Sequence, residues 1–349
     1  MMVAACAGAC SQGAQDTVRP RELPDSTRYR NPVLDADFPD PSLLRAPDSW
    51  FYAYATQTVR GGLSVNIQVA RSRDLVRWEF LGDALPQRPA WSTRVWNFWA
   101  PHVVYDSTVQ RYLMYYSAHD DALDGKCVGV AVASSPRGPF ADSGTPLVCA
   151  GDGFNIDPMA FDDPVSGKHF LYWGSSDSRP LQVQELAADG MSFAPGSAPR
   201  PVVPPGQDLE YSRLVEGAWV VYRNDYYYLF YSGDDCCGSP PHYAVLVARA
   251  RDPLGPFERR GATTATGRGE ILAAGYWGAP GHNAIVTDDA GADWIVYHAV
   301  DPARPLQDGI PFVRRPMLLD RLSYRDGWPF VENGQPSTGL RLRPDVTAP

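Results

Sequence analysis

Residues 224–232 read NDYYYLFYS, a polar turn followed by the aromatic and apolar run that is typical of a buried β-strand. The same compound pattern occurs four more times, at residues 48–54 (DSWFYAY), 111–117 (RYLMYYS), 168–174 (KHFLYWG) and 292–298 (ADWIVYH). Self-similarity at a comparable spacing indicates a repeat architecture in which each copy is one supersecondary unit.

Further strands follow most copies of the pattern. A third strand of small and β-branched residues is predicted at 67–72, 128–133 and 244–249, and a tight turn with an outer strand at 78–80, 138–140 and 255–257. Units of four strands repeated in this way are typical of blades packed radially around a channel. The predicted fold is therefore an all-β, five-bladed β-propeller, and a two-sheet sandwich is the alternative.

One polar residue precedes each aromatic strand at a similar offset, which the sandwich alternative does not explain. These residues are Asp40, His102, Asp157, Glu216 and His282. The first strand of a propeller blade lines the central axis, so five chemical groups from distant parts of the chain are expected to converge there.

Charge and composition restrict the partners. The 349 residues include 31 Lys and Arg against 40 Asp and Glu, a formal charge of -9, which is opposite to the basic surface that nucleic acids or anionic membranes require. A neutral ligand such as a sugar suits the 10 Trp and 18 Tyr better. No apolar run reaches the roughly 18 residues of a membrane span. We expect a monomer that binds an oligo- or polysaccharide and neither nucleic acid nor a membrane interior.

The N-terminus is interpreted as the end of an export signal. Residues 1–28 are predicted to be a truncated export or lipoprotein signal with a linker, and residues 29–349 the catalytic propeller. Residues 3–6 (VAAC) resemble a bacterial lipobox with Cys6 as the acylated residue, and Cys10 is the alternative. The expected location is secreted, periplasmic or lipid-anchored at a bacterial cell surface.

Four further cysteines form an even set without the paired spacing of a zinc site: Cys127, Cys149, Cys236 and Cys237. Disulfides in an oxidising compartment are the simpler account. Cys127 and Cys149 would close a loop within one repeat. The adjacent Cys236 and Cys237 form either a vicinal disulfide or two buried thiols.

Three of the axial positions are carboxyl groups suited to glycoside hydrolysis. Asp40 and Asp157 each precede a proline, and Glu216 stands alone among apolar strand residues, where burial would raise its pKa and keep it protonated. Hydrolysis needs one carboxylic acid to protonate the leaving oxygen and one carboxylate on the opposite side of the sugar. Glu216 and Asp40 fit these roles. The alternatives are ordinary turns at the two aspartates and a core ion pair of Glu216 with Arg213 or Arg223.

From about Asn31 to Gly339 the chain resembles glycoside hydrolase family 43, and within it the arabinan-degrading members. The matching segments are 31–34 (NPVL), 38–42 (FPDPS), 98–101 (FWAP), 156–158 (IDP), 216–217 (EG), 226–230 (YYYLF), 230–238 (FYSGDDCCG) and 280–283 (PGHN). The resemblance implies Asp40 as the base, Asp157 as the pKa modulator and Glu216 as the acid of an inverting reaction. It also implies an axial calcium ion bound by His282 mostly through waters, and no organic cofactor.

Other side chains at the axis have two interpretations. Trp99, Phe98 and Trp277 are predicted to stack on sugar faces, with core packing as the alternative. His102 and His298 are expected to be packing or hydrogen-bonding residues and not metal ligands. Without the family resemblance His282 would also be read as a core histidine, because one imidazole is a poor site for a hard cation.

Cleavage of α-L-arabinofuranosyl linkages in arabinan is the preferred activity. The alternatives are a β-xylosidase or arabinoxylan-debranching enzyme and, from another class, a sugar-binding propeller without catalysis. Retaining enzymes of the invertase type are disfavoured, because their Asn-Asp-Pro nucleophile is Pro39-Asp40-Pro41 here and Gly217 replaces the cysteine after their acid. Similar arabinanases have Glu-Ala-Pro at the acid, whereas this chain has Glu216-Gly217-Ala218, which leaves linkage and cutting mode open.

Overall fold

Five antiparallel sheets surround one axis and confirm the predicted five-bladed propeller. The computed structural model describes residues 27–149, 155–174, 179–238, 240–264 and 267–347. The sheets follow one another along the chain, and each inner strand contacts the inner strand of the next blade. The fifth inner strand contacts the first, which completes the ring. Cys6 and Cys10, and hence most of the predicted signal segment, lie outside the described residues.

The strands of each blade run from the axis outward in sequence order. Blade one contains Ser42–Arg45, Phe51–Ala55, Gln68–Ser72 and Glu79–Asp83; blade two Trp99–Asp106, Arg111–Asp120, Gly125–Ala133 and Ala141–Asp142; blade three Ile156–Asp162, His169–Gly174, Leu181–Leu186 and Arg200–Val203; blade four Val215–Arg223, Tyr226–Asp235, His242–Ala250 and Glu258–Arg259, with Glu270–Leu272 added to its third strand; blade five Gly278–Thr287, Asp293–Val300, Met317–Arg325 and Trp328–Val331.

Few elements lie outside the blades. Thr58–Arg60 and Leu63–Val65 pair as a hairpin, Arg260–Thr263 is one helical turn and Glu332–Gly334 is a 3-10 turn. Among the described residues no helix has the length and apolarity needed to cross a membrane.

The five aromatic segments form the second strand of each blade, where they are buried between neighbouring sheets. Tyr54 and Tyr172 are fully buried, and each hydroxyl donates a hydrogen bond of 2.5 Å to a carbonyl of the next blade, at Pro136 and Pro253. Buried tyrosines supply apolar area while the hydroxyl keeps a partner. The repeated motif therefore joins successive blades.

The two ends of the described chain meet. Arg28–Tyr29 pairs with Arg341–Leu342, and Asn31 exchanges hydrogen bonds of 2.9 and 3.0 Å with the backbone of Leu319 in blade five. The segment that leads into blade one is thus attached to the last blade, and the axial residues of blades one and five are held in fixed relation.

Candidate active site

A central cavity of about 450 Å³ opens at the axis. Its lining includes Asp40, Asp157, Glu216 and His282, from blades one, three, four and five. The structure therefore brings these four sequence-predicted residues together. Arg315, which the sequence did not single out, lines the same cavity.

A backbone irregularity at the start of each inner strand points these groups toward the axis. Each blade has a residue of positive φ there, namely Asp40 (55°), Ala100 (44°), Asp157 (58°), Gly217 (62°) and His282 (49°), and blade five has a second one, Ala279 (44°). In blades two to five a register shift of the first strand pair accompanies it. Such bulges re-aim side chains and are frequent next to active sites.

A hydrogen bond to a side chain of the preceding blade is donated by the backbone N–H of each of five positive-φ residues: Asp40, Ala100, Asp157, Gly217 and His282. The acceptors are Thr56 Oγ1 for Ala100 (2.8 Å), Ser117 Oγ for Asp157 (2.9 Å), Ser232 Oγ for His282 (2.7 Å) and His298 Nδ1 for Asp40 (3.1 Å). All four acceptors occupy the same place in the repeat, at or just beyond the end of the aromatic motif. A ring of inter-blade hydrogen bonds thus holds the axial residues. The sequence signal for this ring is the polar residue at or just beyond the end of these motif copies.

Blade three differs from the other blades in this ring. Gly174 occupies the acceptor position and has no side chain, and Asp157 Oδ2 instead accepts the N–H of Gly217 at 3.1 Å. The backbone at Glu216 packs closely against position 174, where a Cβ would lie 3.3 Å from Glu216 Cα. Glycine leaves the space for this approach. Gly174 therefore determines how closely the segment carrying Glu216 approaches blade three.

Arg315 and Thr56 hold Asp40 as a carboxylate. Its Oδ1 accepts from Arg315 Nη1 at 3.0 Å and lies 3.2 Å from His298 Nδ1, and its Oδ2 accepts from Thr56 Oγ1 at 2.5 Å. Burial opposes the charge, but Arg315 and the two histidines at positions 282 and 298 outweigh it and hold the pKa of Asp40 well below its usual range. Asp40 is thus ionised over the working pH range.

Glu216 and Asp157 are shifted in the other direction. Burial raises the pKa of Glu216 to about 7, although Tyr243 donates a hydrogen bond of 2.7 Å to its Oε1. Burial and the neighbouring carboxyl groups of Glu216 and Asp40 raise the pKa of Asp157 well above its usual range. The pair therefore retains a proton near neutral pH, as a site that supplies a general acid requires.

His282 faces the two aspartates. Its Nδ1 lies 3.6 Å from Asp40 Oδ1 and 3.9 Å from Asp157 Oδ2, and burial lowers its pKa below the usual value of a histidine. Neighbouring Asn283 is buried, and neither polar atom of its side chain has a partner among the described residues. Buried groups in this state usually bind ordered water or an ion.

Only one of the three predicted sugar-stacking residues lines the cavity. Trp99 does so, and the buried ammonium of Lys126 lies 3.2 Å from the centre of its ring. Phe98 is fully buried and packs against Tyr116, and Trp277 is 5 % exposed within the core. This placement corrects the prediction for both residues: Phe98 faces away from the cavity because adjacent residues of an extended chain face opposite sides, and Trp277 packs in the core.

Other sequence alternatives are resolved by contacts. Arg213 pairs with Asp234 and Arg223 with Asp293, so the proposed core ion pair of Glu216 is wrong. His102 Nδ1 accepts the N–H of Ala160 at 3.1 Å. The cysteines form the disulfides Cys127–Cys149 and Cys236–Cys237, and the second lines the cavity.

Sequence reasoning missed Arg315, Tyr243 and Phe312. Arg315 and Phe312 lie between the second and third strands of blade five, in a segment without a counterpart in the repeat, and Phe312 is 65 % exposed at the cavity. Tyr243 lies in a third strand that was predicted only as a structural element. The one available signal was an exposed-loop Arg-Arg pair at 314–315 after an apolar run.

Replacing Gly174 by Ala is expected to lower kcat by about tenfold, because the new Cβ displaces Glu216 and small misplacements of catalytic groups are costly. The matched control is Gly278→Ala, whose Cβ would find its nearest neighbour at 3.8 Å. Steady-state kinetics and thermal midpoints of both variants check this. Equal effects of the two substitutions on kcat would contradict the role given to Gly174.

Comparisons with known proteins agree with the geometry. The family model described as "Glycosyl hydrolases family 43" matches residues 29–329. The chain is 28% identical over 334 residues to a probable arabinan endo-1,5-alpha-L-arabinosidase B of Aspergillus fumigatus, covering 81% of this chain and 86% of the relative. It is 26% identical to the extracellular exo-alpha-(1->5)-L-arabinofuranosidase ArbA of Cellvibrio japonicus, over 85% and 86% of the two chains.

The fold agrees as well. The crystal structure of a thermostable family-43 glycoside hydrolase superposes with a TM-score of 0.74 and 26% identity, covering 91% of this chain and all of the other. Since the family model spans most of the chain and the cavity carries the carboxyl groups that such chemistry needs, the protein belongs to glycosyl hydrolases family 43.

Proposed function

We propose that this protein hydrolyses α-1,5-linked L-arabinofuranosyl chains with inversion of configuration. The observation that carries the proposal is the opposite shift of two carboxyl groups in one cavity: the pKa of Asp40 is lowered and that of Glu216 is raised to about 7. A pair of carboxyl groups whose environments separate their pKa values is suited to base and acid roles.

In this mechanism Asp40 removes a proton from a water molecule, whose oxygen attacks the anomeric carbon. Glu216 donates its proton to the glycosidic oxygen as the bond between that oxygen and the anomeric carbon breaks. Asp157 is the proposed pKa modulator: its Oδ2 accepts the Gly217 N–H next to Glu216, and the closeness of the two carboxyl groups favours a proton held by the pair. Arg315 and Thr56 orient Asp40 and keep it ionised before attack.

The arabinan substrate is supported by the names of two relatives, a probable arabinan endo-1,5-alpha-L-arabinosidase and an exo-alpha-(1->5)-L-arabinofuranosidase. The cavity also combines Trp99 and other apolar groups with a few polar groups at the axis, the usual composition of a small-ligand site.

A substrate panel tests the proposal. Linear arabinan, branched arabinan, arabinoxylan and aryl glycosides of arabinose and xylose should be incubated with the protein, and the products followed by chromatography and by proton NMR of the first-formed anomer. We expect release of arabinose or arabino-oligosaccharides with inverted configuration. Exclusive action on xylosides would contradict the substrate, and retention would contradict the mechanism.

A calcium ion beside His282 is part of this proposal. The residues fit a hydrated cation: burial lowers the pKa of the His282 imidazole, the carboxyl groups of Asp40 and Asp157 lie within 4 Å of its Nδ1, and the side chain of Asn283 lacks protein partners in the described chain. The compact cluster of Asp120 with Cys127 and Cys149 is no rival among the described residues, because both cysteines are disulfide-bonded. A bound cation would supply positive charge that helps keep the axial carboxylates close together.

Calcium titrated into chelator-treated protein is expected to bind in a calorimeter, and His282→Ala is expected to weaken the affinity by at least about tenfold because it removes the protein ligand. His119→Ala, which alters a histidine paired with Asp124 away from the cavity, is the control. Equal affinities of wild type and His282→Ala would count against a calcium site at this position.

We also propose that the protein acts outside the cytoplasm, secreted, periplasmic or lipid-anchored. Support comes from two disulfides, which persist in oxidising compartments, and from the description of the Cellvibrio japonicus relative as extracellular. Mass spectrometry of the mature N-terminus from the native host would distinguish an acylated Cys6 or Cys10 from a cleaved signal.

A further inference from the structure

The vicinal disulfide lies in the wall of the catalytic cavity. Both Cys236 and Cys237 line it, and Cys236 packs with Val313 against a small apolar cluster that includes Tyr243. Arg315 Nη1 lies 3.7 Å from Cys236 Sγ and 3.0 Å from Asp40 Oδ1. A single guanidinium group thus separates the disulfide from the proposed base.

The loop that carries the disulfide is held in place by its own hydrogen bonds. Asp235 Oδ1 accepts from the backbone N–H groups of Cys237 and Gly238 at 2.9 and 2.8 Å. Cys237 remains exposed while Cys236 is partly buried. A disulfide has no hydrogen-bond donor, so its exposed side presents methylene groups and polarisable sulfur to the cavity.

A hairpin of blade five continues this apolar surface. Leu306 and Val313 form a bridge, Gln307 N–H donates to the Phe312 carbonyl at 2.9 Å and Arg314 N–H donates to the Pro305 carbonyl at 2.8 Å. The base of the hairpin is fixed by ion pairs of Arg314 and Arg304 with Asp35. Phe312 lines the cavity with most of its ring exposed.

We propose that Cys236, Cys237, Phe312 and Val313, together the apolar wall, form a second sugar-binding position that contacts the C–H face of the sugar unit next to the one being cleaved. Blade order supports this: the wall comes from adjacent blades four and five, and Trp99 comes from blade two, across the axis. A glycan in the cavity then lies between the indole and the wall. The inference rests on the proposed glycosidase function and adds the residues that recognise a chain rather than a single sugar.

The test compares a one-sugar substrate with a chain. For Phe312→Ala and for Cys236→Ser/Cys237→Ser, kcat/KM on 1,5-linked arabinopentaose is expected to fall about tenfold, mostly through KM, since lost apolar contact of this size corresponds to one decade. The same variants should lower kcat/KM on an aryl α-L-arabinofuranoside by a clearly smaller factor than on the pentasaccharide, because that substrate has no second sugar.

Two controls match the variants in chemistry but not in position. Leu306→Ala removes an exposed apolar side chain of the same hairpin that faces away from this cavity, and Cys127→Ser/Cys149→Ser removes the other disulfide. Neither should alter the ratio of the two kcat/KM values. Equal losses on both substrates, or no loss on the pentasaccharide, would overturn the apolar wall.

Failure of the proposed function would give different experimental results from failure of the apolar wall. If the wild type acts on xylo-oligosaccharides instead, the arabinan proposal fails and the same comparison is made with xylopentaose. If it hydrolyses neither, calorimetric binding of both pentasaccharides to Glu216→Gln, with and without Phe312→Ala, measures the wall directly. Binding that Phe312→Ala weakens supports the wall, whereas absent or unchanged binding overturns it.

Discussion

Glu216→Gln is expected to lower kcat on arabinan and on arabino-oligosaccharides by about 10³-fold, within the range that a lost general acid costs. The glutamine keeps the shape of the side chain but has no acidic proton for the glycosidic oxygen. Because the wild-type acid has a pKa raised to about 7, its kcat/KM should decline as the pH rises through that value. The residual rate of the variant should lack this decline.

A substrate with an activated leaving group distinguishes a general acid from a residue that is only structural. A dinitrophenyl α-L-arabinofuranoside expels a stable phenolate without protonation, so Glu216→Gln should hydrolyse it at close to the wild-type rate. A large loss on this substrate as well would show that Glu216 is not the acid. Folding is monitored by the thermal midpoint.

The thermal midpoint of Glu216→Gln relative to the wild type can also be predicted. A buried acid whose folded-state pKa exceeds its unfolded value binds more protons when folded, so it reduces stability as the pH rises through about 7. Glu216→Gln should therefore be at least as stable as the wild type at pH 8. The surface variant Glu79→Gln, which alters a carboxylate paired with Arg71, is the kinetic control.

Asp40→Asn is expected to lower kcat by a similar factor of about 10³, and here an activated leaving group should give no rescue. The base acts on the attacking water, a step that a better leaving group does not replace. In the pH profile of wild-type kcat/KM, the loss of activity on the acidic side should occur below the usual titration range of an aspartate. The reason is that Arg315 and the histidines lower the pKa of Asp40. Measurement of kcat/KM for the aryl series in wild type and variant checks both points.

Stability is expected to change as well, because the substitution leaves Arg315 without its charged partner at 3.0 Å. Activity is therefore expressed per folded molecule, from the folded fraction at the assay temperature. Full activity of folded Asp40→Asn, or a covalent glycosyl adduct on Asp40 of the wild type, would contradict the role of base in an inverting reaction.

The site works because one cavity contains two opposite environments. Asp40 lies where a guanidinium and two imidazoles face it, whereas for Glu216 burial outweighs the hydrogen bond from the Tyr243 hydroxyl and the positive charge of Arg315. Neither environment is local in sequence, since Arg315 comes from blade five and Tyr243 from the third strand of blade four. Closure of the propeller assembles both.

The amino-acid sequence by itself determined the repeat, and with it the number of blades and the second strand of each. It also indicated four of the five polar residues expected at the axis, because equivalent positions in equivalent units occupy equivalent places; His102 of blade two is the exception, since it does not line the cavity and instead accepts the N–H of Ala160. The placement of Asp40, Asp157, Glu216 and His282 in one cavity follows from that symmetry. Four acceptors of the inter-blade ring follow the same rule, whereas in blade three Gly174 occupies that position and Asp157 is the acceptor.

Only the tertiary structure decided what departs from the repeat. Phe98 and Trp99 are adjacent, and the choice of which one faces the cavity depends on the pleat of the strand rather than on residue type. Arg315, Phe312 and the Cys236–Cys237 disulfide lie in loops that no other blade shares, so periodicity carried no information about them. Their positions depend on contacts between segments distant in the chain, which exist only once the ring of blades has closed.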